Sequence, residues 1–192
     1  MPKIVNHDDR RRELIEACWT VLSDQGVEGL SLRKVATAAK CATGRITHYF
    51  ANREELLLAA IEASLDDIDQ RTNEILKQNI PALEKMLLIV DEVLPLDALR
   101  LREGRVWMAF WNFASTDPRL AKENDIRHHQ WYKSLYPILA EINDNLDVKV
   151  EAKIFVGLMN GLVVQTSVHP TPANRKMARA TLQAHLKSLI ER

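Results

Sequence analysis

Between residues 43 and 49 the chain places Thr43, Gly44, Arg45, Thr47, His48 and Tyr49, with Ser31 and Arg33 upstream and Arg53 just beyond. Of these, Arg45 has the group best suited to reading a base. Its planar fork can bond both O6 and N7 of guanine, and threonines such as Thr43 and Thr47 can meet base edges or a thymine methyl. Ser31, Arg33 and the run Arg10, Arg11, Arg12 can hold a phosphate backbone, which sets register rather than sequence. The arginine run reads equally as a solvated basic arm, and His48 as a capped surface histidine. Tyr49 and Phe50 can both be core; for Phe50 core is the better reading, and Ile46 should also point inward to hold its helix.

A second cluster is aromatic. Trp107, Phe110, Trp111 and Phe113 fall within seven residues, and all the tryptophans except Trp19 lie in this half of the chain. In a helix Trp107, Phe110, Trp111 and Ala114 share one face. Trp131, Tyr132 and Tyr136 follow at a distance. An indole face is the best seat for a cation. Such rings, with a carboxylate such as Asp66, Asp67, Asp69 or Glu103 nearby, could cage a quaternary ammonium. They suit a flat apolar ligand equally well, or they fill the core between helices.

Other chemistry finds little support. His128 and His129 are adjacent, so on a helix they point about 100° apart and cannot share one ion. Two cysteines, Cys18 and Cys41, make neither a disulfide framework nor a zinc pattern. No nucleophile–base set and no phosphate loop is recognisable, so no enzyme, no metal site and no cofactor are expected. No apolar run approaches the ~18 residues that cross a bilayer, and no signal-peptide pattern is present, which points to a reduced, cytoplasmic protein.

The elements that must position these groups are helical. The chain has 192 residues with 46% apolar and 27% charged, ordinary for a globular protein, and only 6 glycines and 7 prolines, mostly at segment ends. No alternating run suggests a strand. Net charge is zero, yet residues 1–53 hold nine basic and six acidic groups, a net of +3 against −3 for the rest. The spacing predicts nine helices. The first runs from Asp8 to Gln25, with Leu14, Cys18, Val21 and Leu22 on one face and Gly26 as a left-handed stop. Ser31 caps a second. A tight turn at Lys40-Cys41 leads to a third, over Ala42 to Tyr49, which is a helix-turn-helix pattern over about 31–50. Asn52 with Glu55 opens a long fourth helix to about Gln78. Pro81, Asp97, Asp117-Pro118 and Asp147 start the fifth to eighth, Pro170-Thr171-Pro172 is the linker before a ninth that reaches the C-terminus, and Pro137 should kink or split the seventh.

From Val35-Ala36 through Leu57 the sequence resembles the TetR/AcrR family of transcriptional repressors. The resemblance rests on Ala42-Thr43-Gly44-Arg45-Ile46-Thr47-His48-Tyr49-Phe50 followed by Asn52-Arg53-Glu54-Glu55-Leu56-Leu57. A second, weaker likeness joins Trp107-Met108-Ala109-Phe110-Trp111, Asp117-Pro118 and Thr47 to the choline-responsive BetI branch. The resemblance implies an all-α protein with a helix-turn-helix head, residues 1–55, and an effector and dimerisation domain, residues 56–192. It implies a homodimer on a palindromic DNA operator, released by a small molecule such as a choline-like quaternary ammonium. It places His48 and Tyr49 near base or phosphate oxygens, Gly44 where the helix approaches closely, and Arg53 where relatives grip phosphate.

For the effector it points to Trp107, Phe110, Trp111 and Trp131, in a pocket among the fourth to eighth helices and closed off from the head. For dimerisation the eighth and ninth helices are expected to use Gly157, Gly161, Leu182 and Leu186, although Gly157 could instead serve packing within one subunit. Lys40 departs from the glycine common in this turn, and Arg45 from a small polar residue. Two rival readings remain: a helical small-molecule-binding protein or enzyme with a degenerate DNA head, and a nonspecific nucleoid-type binder.

Overall fold

A computed structural model describes residues 7–191. Lys3, counted in the basic stretch, lies outside the described residues. Among the described residues there are nine α-helices and no strand. They are α1 His7–Gln25, α2 Leu32–Ala38, α3 Thr43–Tyr49, α4 Arg53–Leu76, α5 Ala82–Val93, α6 Ala98–Ala114, α7 Pro118–Ile142, α8 Val148–Val168 and α9 Pro172–Ser188.

The starts are fixed by side-chain caps. Ser31, Asn52, Asp97, Asp117, Asp147 and Thr171 each accept a hydrogen bond from a first-turn amide of the helix that follows. Glu55 reaches back to the amide of Ala51, closing the entry to α4 from the other side. Gly26 ends α1 at φ +67°, and Lys40 sits at φ +51° in the turn before α3. A side chain in that left-handed region costs roughly 1–2 kcal/mol, so the turn carries some strain. Two expectations change. α7 runs unbroken through Pro137, although the proline withholds one amide from the helical ladder. α9 stops at Ser188 instead of continuing to the end.

Two apolar clusters organise the helices. The first joins α1, α2, Ile46, Phe50 and the first half of α4 to Val106 and Phe110 of α6. The second joins α5, α7, α8 and α9. α6 therefore belongs to both regions: it packs on α1 and on α8. Gly104 is where it meets α8, since a Cβ there would lie 2.5 Å from Ser167 Oγ.

Candidate functional site

On α3 the apolar residue turns inward and the polar ones turn out. Ile46 is fully buried and Phe50, at the end of the helix, nearly so. Thr43, Gly44, Arg45, Thr47 and His48 are exposed, and Tyr49 is half-buried. A seven-residue helix anchored by Ile46 and stopped by Phe50 leaves Thr43, Gly44, Arg45, Thr47 and His48 to solvent. Thr47 Oγ1 donates to the Gly44 carbonyl at 3.1 Å. Tyr49 packs between His48, at 5.2 Å, and His7, at 4.4 Å between ring centroids. Arg33 is exposed on α2, whereas the Ser31 hydroxyl already accepts from the Lys34 amide.

Two basic features differ from expectation. Arg53 turns inward, and its Nη2 donates to the Val27 carbonyl at 2.6 Å. At the first position of α4 its long side chain lies back over the α1–α2 turn, so it braces the head where a phosphate-gripping cation was expected. In the arginine run, Arg11 and Arg12 reach other elements, while Arg10 makes an exposed pair one turn along its own helix. Arg10 pairs with Glu13 at 2.6 Å, Arg11 lies 5.2 Å over the Phe50 ring, and Arg12 bonds Asp67 of α4.

The second site is a cavity lined from five helices. Ile68, Asp69 and Thr72 come from α4, Glu92 and Val93 from α5, Glu103, Gly104, Trp107 and Trp111 from α6, Trp131 from α7, and Asn160 and Val163 from α8. The position among the fourth to eighth helices, with no residue of α1–α3 in the wall, agrees with the sequence reading. The space is narrow, about 30 Å³, room for roughly two water molecules. Trp107 and Trp111 stand 5.4 Å apart at 55°, and His128 meets Trp107 edge-on at 6.1 Å.

Of the four aromatics expected here, Trp107, Trp111 and Trp131 line the cavity and Phe110 does not. Phe110 is 2% exposed and belongs to the cluster shared with α1. Its position on α6 aims it at the head, a quarter-turn from the tryptophans' wall.

The carboxylates sort themselves too. Asp69 and Glu103 line the cavity. Asp66 faces Arg127 at 3.3 Å, and Asp67 is held by Arg12. Glu92, not foreseen, completes the acidic end. Its neighbour Asp91 in the same last turn pairs outward with Arg179, and nothing in the sequence tells the two carboxylates apart. Arg71 joins Glu92 and Glu103: its Nε donates to Glu92 at 2.5 Å and its Nη2 to both Glu103 oxygens at 2.8 Å. Arg100 holds the other Glu92 oxygen at 2.6 Å. Burial pushes the Glu103 carboxyl up, against the opposing pull of Arg71.

The third surface is on α8 and α9. A Cβ added at Gly157 or Gly161 would meet nothing within 4 Å in this subunit. Around them stand the exposed Val150, Ile154 and Val168, with Met177 on α9 at 66% exposure. Ala173, Ala180 and Ala184 continue that outer stripe of α9. Leu182 and Leu186, expected at the dimer surface, are fully buried within the subunit. With Ala178 and Leu189 they form the inner stripe of α9, packed in the second cluster.

Comparisons with known proteins agree on what these three surfaces belong to. Residues 14–60 match the family model described as bacterial regulatory proteins, tetR family, and residues 82–191 match that of the BetI-type transcriptional repressor, C-terminal. The HTH-type transcriptional regulator PksA of Bacillus subtilis is 28% identical over 98% of this chain and 94% of its own. The regulator BetI of Yersinia pestis is 23% identical over 99% and 97%. Among solved structures, a transcriptional regulator from Rhodococcus sp. aligns with a TM-score of 0.84 at 23% identity, covering 94% of this chain and 96% of that one. One from Saccharomonospora viridis, solved in complex with choline, aligns at 0.83 and 20% identity, covering 96% of each. The chain is therefore a TetR-family transcriptional regulator with a BetI-type C-terminal domain.

Proposed function

We propose that this regulator is a cytoplasmic homodimer that represses transcription from a palindromic operator and is released by a small quaternary ammonium compound. Residues 1–55 form the DNA-binding head, and residues 56–192 the effector and dimerisation domain. Arg45 reads a guanine in each half-site, with Thr43 and Thr47 beside it. Gly44 lets α3 approach closely, and His48, Tyr49, Arg33 and Ser31 meet the backbone. Arg53 acts at one remove, by fixing the head against α4. The outer stripes of α8 and α9, from Val150 through Gly161 and from Ala173 through Ala184, pair with those of a second subunit into a four-helix interface.

The observation that carries the ligand reading is one cavity wall that combines Trp107, Trp111 and Trp131 with the carboxylates of Glu92, Glu103 and Asp69. Each ring face is worth roughly 0.5–2 kcal/mol to a desolvated cation, and a carboxylate supplies the charge balance. A flat apolar molecule would leave the carboxylates without a partner from the ligand. A ligand releases DNA only through its different affinity for the DNA-bound and free conformations. The test is a choline titration that follows tryptophan fluorescence together with binding to an operator selected from random duplexes. Quenching with DNA release, both lost in Trp111→Ala, is the expected result. A response to planar apolar compounds and to no quaternary amine would overturn it.

A further inference from the structure

The acidic end of the effector cavity is also the wall of a second space. A cleft of about 700 Å³ opens between the head and the body, lined among others by Arg12, Trp19, Asp67, Arg71, Arg102 and Glu103. Glu103 faces both spaces. Arg71 reaches Glu103 from the cleft side and holds both its oxygens. The cleft also contains the clasp between the two regions. Arg12 of α1 bonds Asp67 of α4. Arg12 and Arg102 each lie 4.8 Å over the Trp19 ring, whose Nε1 donates to the Ala60 carbonyl at 2.7 Å.

One spacing connects the two sets. Asp67 and Arg71 are four residues apart on α4, so they are neighbours on one helix face and a carboxylate–guanidinium pair is favoured there. In the structure that pair is not made: Asp67 holds Arg12, and Arg71 holds Glu92 and Glu103. Two arginines thus share three carboxylates, and Arg71 has in Asp67 an alternative partner one turn away on its own helix.

We propose that Arg71 is the resident cation of the effector site, and that it signals occupancy by exchanging Glu103 for Asp67. An ammonium ligand in the cavity competes for the Glu103 carboxylate. Arg71, left with a single bond to Glu92, gives that carboxylate up to Arg100, turns along α4 to Asp67 and displaces Arg12. The head then loses its ionic clasp to α4, and the two recognition helices lose their fixed orientation to each other. This rests on the effector reading above for the identity of the competing cation, and on the ion-pair geometry for the exchange itself.

The test needs no ligand for its main arm. Glu103→Gln removes the carboxylate that holds Arg71 with both its oxygens and leaves Arg71 a single bond to Glu92, as an effector would. Operator affinity of the ligand-free variant should fall roughly tenfold, within the range of ordinary allosteric coupling. The double variant Glu103→Gln with Arg71→Met should recover to within about twofold of Arg71→Met by itself. Asp67→Asn, which opens the clasp directly, should weaken operator binding and leave Glu103→Gln no further effect. The sign is diagnostic. Each of these acid-to-amide changes makes the protein less negative, which through phosphate electrostatics would tighten DNA binding. Helicity and melting temperature of each variant separate loss of fold from loss of coupling, and the Asp67→Asn arm stands if Glu103→Gln misfolds. Wild-type affinity in both Glu103→Gln and Asp67→Asn, or a Glu103→Gln defect that persists without Arg71, overturns the exchange. With choline, Arg71→Met should bind more tightly than wild type yet no longer release DNA; unchanged binding and release would also overturn it. A wild-type protein that ignores choline counts against the effector reading, while the ligand-free cycle still decides the exchange.

Discussion

The head and the effector body are held in shape by different kinds of contact. In the head, signals a few residues apart do the positioning: the Ser31 and Asn52 caps, the left-handed turns at Gly26 and Lys40, and Ile46 and Phe50 anchoring a seven-residue helix. In the body, the cavity's acidic end is set by Arg71 with partners 21 and 32 residues away, on two other helices. Local signals fix where each short helix of the head begins and ends. Distant pairs fix a wall that can be rearranged without unfolding any helix. A DNA reader needs the first property and an effector site the second.

The difference can be broken or sharpened by substitution. The largest effect is expected at the outer stripe, which serves head and body together. Gly157→Glu places a charge where two subunits are proposed to meet, and sedimentation should show monomers that no longer hold the operator. A stable, DNA-competent dimer would show that the interface lies elsewhere.

Next is the seam between the regions. Phe110→Ala should cost about 3–5 kcal/mol in thermal or denaturant unfolding, because it empties a site shared by α1 and α6. Its neighbour Trp111→Ala should cost less stability and more ligand affinity. Equal stability losses at the two positions would contradict their assignment to different walls.

On the head surface, Arg45→Ala should lose about 1–3 kcal/mol of operator affinity and relax specificity at one base pair per half-site, with the melting temperature unchanged. An equal loss on random DNA would remove its base-reading role. The smallest effect should be at a cap. Asn52→Ala is expected to destabilise by about 1 kcal/mol, with choline affinity intact, since that helix start is a local matter.

The same division decided what could be read from the sequence. All nine helices were legible within about two residues at most ends, because caps and prolines sit beside the residues they govern. The tight turn at Lys40-Cys41 was legible too, but the left-handed backbone at Lys40 has no signal in its own side chain. The exposed polar face of α3 followed from Ile46 and Phe50 turning inward. What could not be read was the partner of a face. Leu182 and Leu186 were assigned outward because α9 shows apolar or small residues on both sides, and periodicity does not say which side meets its own subunit. Phe110 was grouped with the tryptophans because i, i+3 and i+4 share a face, yet α6 touches two regions and that face divides between them. Arg53 looked like a free cation because its acceptor, a backbone carbonyl at Val27, has no sequence signature. Glu92 and Gly104 gained their roles only from residues brought near by the fold.

The narrowness of the cavity between the tryptophans bears on time as well as on affinity. Room for two water molecules cannot admit a trimethylammonium group until Trp107, Trp111 or Trp131 moves aside. Entry must therefore wait on a minority open population, and the apparent dissociation constant exceeds the intrinsic one by the inverse of that fraction. Association should be slow and independent of ligand concentration once opening is rate-limiting. Escape should be slow for the same reason, so a regulator built this way would answer the sustained level of its effector and pass over brief pulses.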